Sequence, residues 1–145
     1  MKKLFAILMF IYAGFSLNAQ VEFKTEISKD AVMINEPFKV EYKVNKNFDD
    51  FNLKGNENFE IISGPSTSFQ QSINMTNGKT EKTISVTYTY LLKAKKAGKQ
   101  IIPTAEIKIH GKYYYSDAKD IIVIDAEYHN PKENEIKDIE GTSKL

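Results

Sequence analysis

"EKTISVTYTYLL", residues 81–92, alternates apolar and polar side chains from Ile84 onward. Ile84, Val86, Tyr88, Tyr90 and Leu92 fall on one face, and Ser85, Thr87 and Thr89 on the other. A period of two marks a half-buried strand. β-branched and aromatic residues suit a pleated surface packed on one side. A helix would need apolar residues three and four apart, and that spacing is missing. The stretch predicts a long strand with Val86 and Tyr88 buried between two sheets.

The same period recurs on both sides of it. In "FKVEYKV", residues 38–44, Phe38, Val40, Tyr42 and Val44 oppose Lys39, Glu41 and Lys43. In "AEIKIHG", residues 105–111, Ala105, Ile107 and Ile109 point inward. "DIIVID", residues 120–125, is a short apolar run suited to a buried strand. Weaker strand candidates lie at residues 21–27, 50–53, 59–63 and 68–75. No window of helical length carries an apolar stripe of period 3.6.

The turn residues agree with a β fold. Asn77-Gly78 tolerates positive φ at both centres of a type I′ hairpin turn, and it joins the 68–75 candidate to the long strand. Pro37 stands at a strand's first residue, where a missing N–H removes no ladder bond. Gly64-Pro65 is expected to break the chain. His110 and Gly111 make a tight return within "GKQIIPTAEIKIHGKYYYS", residues 98–116. Pro103 interrupts the first arm of that hairpin, so the arm is expected to be an edge strand or to carry a bulge. Ile101 and Ile102 then face opposite ways. Seven to eight short strands over residues 20–125 predict an all-β fold, an immunoglobulin-like antiparallel β-sandwich of the usual ~100 residues.

The two ends read differently. Lys2 and Lys3 precede an uncharged apolar run, "LFAILMFIYAGFSL", and small Ala19 follows. That is the pattern of a signal peptide over residues 1–19, cleaved between Ala19 and Gln20. The run is short for a membrane span, which needs roughly 20 apolar residues. Leu17 is larger than the small residue preferred three positions before a cleavage site. Residues 126–145 are polar, charged and aperiodic, and read as a tail or linker.

Composition excludes several chemistries. The chain has 20 basic and 19 acidic side chains, so no net field draws it to nucleic acid or a membrane surface. Every basic residue is lysine, so no guanidinium is present for bidentate anion recognition. There is no cysteine, which removes thiol nucleophiles, thiolate metal sites and disulfides. A sandwich of this length must be held by packing alone.

"YTYLLKAKKAGKQIIPTAEIKIHGKYYYS" resembles the BatD, or oxygen-tolerance, family of bacterial envelope proteins. The resembling positions are Tyr88-Thr89-Tyr90, Leu92, Gly98, Ile102-Pro103, Ala105, Ile107, Ile109, Gly111-Lys112, Tyr115 and Ser116. Upstream, "VMINEPFKVEYKV" and "FEIISGPSTSFQQSINMTNGK" resemble the family's strand opening and its following hairpin. Ala94 departs from the pattern, which has a proline there. Family members typically carry several such domains and a carboxy-terminal membrane helix. The expectation is therefore a first domain alone, a fragment or a short relative. The resemblance implies an exported protein, in the periplasm or at the periplasmic face of the inner membrane. It implies von Willebrand A-type and tetratricopeptide partners, a link to oxygen tolerance, and no enzymatic activity. Membrane attachment would come only through partners or a further helix.

The residues themselves offer little to catalysis. His110 falls in a turn and His129 in the tail, with no carboxylate placed to orient either. A zinc site draws three or four ligands largely from His and Cys, and that supply is missing. No G-x-S-x-G elbow or calcium loop occurs. Adjacent Asp49 and Asp50 would point apart in a strand. No cofactor or small-molecule substrate is expected. Asn74-Met75-Thr76 matches the glycosylation triplet, which in a bacterial-looking chain is a chance match.

Two surface features remain. Lys93, Lys95, Lys96 and Lys99 surround one loop and offer positive charge to an acidic partner, or simply solvate the loop. Tyr113, Tyr114 and Tyr115 offer aromatic contact, and strand alternation would split them between faces. The expected function is a non-enzymatic protein-interaction module with Tyr113, Tyr114, Tyr115, Lys95 and Lys96 as candidate contacts. The alternative is a carbohydrate- or surface-binding sandwich, for which the tyrosines speak.

Overall fold

The computed structural model describes residues 20–125. The expected signal peptide with Ala19, the tail and His129 lie outside the described residues. Ten strands and no helix occur among the described residues. One layer is a four-stranded antiparallel sheet. Its strands run β1 (Phe23–Ile27), β3 (Pro37–Val44), β6 (Lys79–Ala94) and β5 (Phe59–Thr76) in spatial order. The facing strands form two three-stranded sheets. One is β2 (Ala31–Met33), β10 (Asp120–Ile124) and β7 (Gly98–Ile101); the other is β4 (Asp50–Lys54), β8 (Thr104–Ile109) and β9 (Lys112–Tyr115).

The strand count exceeds the expected seven to eight, because short pieces at the sandwich margin pair as strands of their own. The fold is also not wholly antiparallel. β2 runs parallel to β10, with Val32 opposite Val123. Three residues carry too short a period to announce a strand in sequence.

Alternation built the core as expected. Phe38, Val40, Tyr42 and Val44 on β3 are buried, as are Leu92 and Tyr90 on β6 and Ala105, Ile107 and Ile109 on β8. Val86 is buried, but Tyr88 is half-buried against the core rather than enclosed. Its ring stacks on Phe51 at 4.3 Å and tilts against Phe48. The 120–125 run is not buried on both sides. Ile121 and Val123 face the core while Ile122 and Ile124 face outward, because among the described residues nothing packs on the outside of that sheet.

Two breakers act differently from expectation. Gly64-Pro65 does not divide the chain: residues 59–63 and 68–75 belong to one strand, β5. The ladder to β6 slips at Ile61/Ser63 and Ser63/Ser66, then runs without interruption to Thr76. The slip absorbs the dipeptide where proline lacks a donor. Gly64 is required there, since a Cβ would stand 2.8 Å from the Thr89 carbonyl oxygen.

Pro103 carries no bulge, and the arm before it, β7, is an edge strand of its sheet, while β8 after it is a middle strand. Pro103 is a joint between two strands, and it is buried. β7 stops at Ile101 paired to β10, and β8 starts at Thr104 paired to β4 and β9. Losing one donor at this joint lets a single run of chain serve two sheets. Ile101 is exposed and Ile102 buried, as opposite faces require. The Asn77-Gly78 and His110-Gly111 returns both have positive φ at each centre, as type I′ turns demand.

Candidate interaction surface

β8 and β9 meet in register: Ile109 opposes Lys112, Lys108 opposes Tyr113, Ile107 opposes Tyr114 and Glu106 opposes Tyr115. β9 is an edge strand, because the sheet order is β4-β8-β9. The Ser116 N–H donates to the Ala105 carbonyl at 2.9 Å, and the Ser116 hydroxyl accepts the Ala105 N–H at 3.0 Å. Antiparallel ladders alternate bonded and non-bonded pairs. Tyr114 therefore pairs its amide with Ile107, while the backbone N–H and C=O groups of Tyr113 and Tyr115 turn outward from the sheet.

Alternation splits the three rings as expected. Tyr114 is half-buried against the core, opposite buried Ile107. Tyr113 and Tyr115 are 52% and 60% exposed and share the outer face. The Lys108 ammonium lies 5.5 Å from the Tyr113 ring centre, and that of Lys112 lies 5.3 Å from Tyr114. Tyr115 is hydrogen-bonded to the Glu106 carboxylate, which raises its phenol pKa. Glu106 in turn meets Lys54 at 3.5 Å. The outer face thus carries two held aromatic rings beside a row of free backbone groups.

The lysine cluster is not one patch. Lys93 pairs with Glu60 at 3.1 Å and Lys99 with Asp120 at 2.8 Å. Lys95 and Lys96 are exposed in the loop between β6 and β7, and neither ammonium has an ion pair among the described residues. They lie away from the tyrosines: Lys95 is tied by its amide to the Asn58 carbonyl. Structure therefore leaves two exposed cations at one loop and two exposed rings at one edge, not a combined site.

The histidine within the described residues stays in its turn. The Asp49 carboxylate accepts the backbone N–H of His110, which caps the turn. Among the described residues no group of three or more His, Cys, Asp or Glu is placed to hold a metal ion. A cleft of about 810 Å³ opens at the end of the sandwich, lined by Val21, Asn47, Ile84, Ile109 and Tyr114 among others. Lys46, Glu81, Lys82, His110 and Lys112 line it as well.

One surface escaped the sequence reading. β5 and β6 extend as an arm in which residues 61–83 are exposed. Phe69, Ile73 and Met75 project from one face of it and are 56%, 59% and 80% exposed. The signal was present in "STSFQQSINMT", residues 66–76: alternation without a single charge.

Two facing β layers and an apolar core fed by alternating strands define an all-β sandwich domain. The chain belongs to the BatD family: the family model described as the BatD DUF11-like domain matches residues 25–123. No curated protein matches the chain.

Proposed function

We propose that this BatD domain is an exported, non-enzymatic protein-interaction module acting in the cell envelope, and that the free edge of β9 is its recognition element. The observation that carries the reading is the outward backbone row of Tyr113 and Tyr115 flanked by their exposed rings. An open edge accepts an added strand, in which main-chain bonds give affinity and side chains give selectivity. Tyrosine is enriched at interfaces because it adds large contact area at small entropic cost. The partners expected from family membership are von Willebrand A-type and tetratricopeptide proteins, with a role in oxygen tolerance. Export rests on the signal-peptide pattern of residues 1–19.

The ladder phase decides how the edge is tested. Proline at Tyr114 would remove a bond that holds β9 to β8, so its effect would be structural. Proline at Tyr115 spares the β8–β9 ladder and removes an outward N–H together with the exposed ring and its bond to Glu106. Tyr115→Pro is expected to keep its melting transition and to bind the von Willebrand A-type partner at least about tenfold more weakly, a loss of about 1.4 kcal/mol. Glu57→Gln, far from the edge, is expected to bind as the wild type. Equal affinity of folded Tyr115→Pro and wild type removes β9 from the reading. Binding of a glycan that is lost in Tyr113→Ala, with no protein bound, would favour the carbohydrate alternative.

A further inference from the structure

The second open edge is that of β5, and it differs from the others. β1 carries Lys24 and Glu26, β4 carries Asp50 and Lys54, and β2, β7 and β9 are three or four residues long. Natural sheets guard edges with charge, proline or short length. From Ser66 to Thr76 β5 has none of these: eleven residues are paired to β6 on one side and open on the other. Thr76 opposes Lys79 across a two-residue turn. That closing pair is hydrogen-bonded, so the phase runs back along the strand. The backbone groups of Thr67, Phe69, Gln71, Ile73 and Met75 therefore point away from β6. Phe69, Ile73 and Met75 are also the exposed apolar side chains of one face.

We propose that this edge pairs with the same edge of a second copy of the chain, antiparallel about a twofold axis at Gln71. That register sets Gln71 against Gln71, Phe69 against Ile73 and Thr67 against Met75. Every outward N–H then meets an outward C=O, and the apolar side chains of both copies share one face. Aromatic and β-branched residues opposite each other are favourable cross-strand pairs. Charge complementarity selects the same partner. An uncharged strand pairs best with one that brings no charge into a row of desolvated amides, and β5 itself is such a strand. The twofold makes the contact isologous and closed, so it ends at a dimer. Eleven residues a side fall short of the roughly 20–30 of a standard interface, so the dimer is weak and forms at high local concentration. This inference is independent of the β9 edge.

The chain has no cysteine, so one introduced thiol reports one position. Directly opposed residues of a bonded pair have Cα atoms about 5.5 Å apart, within disulfide reach. In the protein expressed from Met1 and purified, Gln71→Cys is expected to form a disulfide dimer under mild oxidation. Met75→Cys is on the same face and more exposed, yet two copies of it would stand about 27 Å apart in this register. It is expected to cross-link at least about tenfold more slowly. Sedimentation from about 1 µM to about 1 mM is expected to show a monomer passing to a dimer, a shift that Gln71→Pro and Ile73→Lys each abolish. Gln71→Pro spares the β5–β6 ladder because the amide it deletes points outward. A monomer at every concentration overturns the proposal. So does cross-linking at Met75→Cys as fast as at Gln71→Cys, or a dimer that survives both edge variants.

Discussion

The hydroxyl of Tyr42 on β3 donates a 2.6 Å hydrogen bond to the carbonyl oxygen of Pro103, so the bond crosses from one layer to the other. Pro103 stands where β7 has ended and β8 has not begun. No ladder reaches its carbonyl, and the buried phenol supplies the donor that the sheets do not. Removing one partner strands a buried acceptor, which costs about 1–3 kcal/mol. Tyr42→Phe is expected to lose that much at neutral pH, read from urea unfolding.

The same phenol sets an alkaline limit. Burial, with Tyr90 adding repulsion, pushes the Tyr42 pKa well above its ordinary value. In the unfolded chain it ionises near 10. Above about pH 10 the unfolded state therefore holds fewer protons than the folded state, and stability falls as pH rises. Below that pH the contribution is fully present. Between about pH 9 and about pH 11.5 the wild type is expected to lose stability more steeply than Tyr42→Phe. Parallel slopes would contradict the assignment.

Packing predicts a contrast between two apolar residues. Leu92 is fully enclosed, and Leu92→Ala is expected to cost about 2–5 kcal/mol through lost transfer energy and the cavity left behind. Met75 is exposed in the monomer, and Met75→Ala is expected to change stability by less than about 0.5 kcal/mol at low concentration. Chemical denaturation of both variants checks the pair.

Two glycines separate crowding from backbone strain. Gly64 has a φ of 120°, and a Cβ there would also meet the Tyr90 backbone at 3.1 Å. Gly78 has a φ of 75° with open space around it. Gly78→Ala is expected to cost about 1 kcal/mol from φ alone. Gly64→Ala is expected to cost more, about 1–3 kcal/mol, because the β5–β6 ladder must also shift. Equal melting temperatures would show that the ladder yields freely at the slip.

Shortening the arm tests where stability resides. Gln70 opposes Ser85 in the same phase as the closing pair of the native turn. Replacing residues 71–84 with Asn-Gly retains a two-residue turn on a bonded pair. The melting temperature is expected to stay within about 4 °C, the shift that about 1 kcal/mol produces in a domain of this size. Scanning calorimetry reads the result directly.

Much of this was legible because sheet burial writes itself into alternation. Phe38 to Val44 and Ile84 to Leu92 announced the β3 and β6 strands, and Asn77-Gly78 announced the turn between β5 and β6. Positions decided by partners far along the chain were not legible. Ile122 faces outward because, among the described residues, no third layer covers β10. β2 is a strand only because β10 lies beside it. Pro103 signalled an interruption, but which sheets lay on either side depended on β10, β4 and β9. At the candidate sites, alternation split the tyrosines correctly. The identity of the open edges is a property of strand order, which no local pattern encodes. The bare edge of β5 was the exception, since its missing charges are visible in the residues themselves.

The place of β10 carries a consequence for how the molecule comes into being. β10 is the middle strand of its sheet, flanked by β2 on one side and β7 on the other, yet it is the last of the ten to be synthesised. The nearby bond from Thr25 to Asp117 likewise joins residues 92 apart. A ribosome delivers the amino terminus first, so Val32 and its strand wait without a neighbour until the end of the domain emerges. Contacts this distant in sequence close slowly, on the millisecond-to-second scale. Until then the nascent chain remains pliable, with its apolar faces bare, and completion comes in one late step.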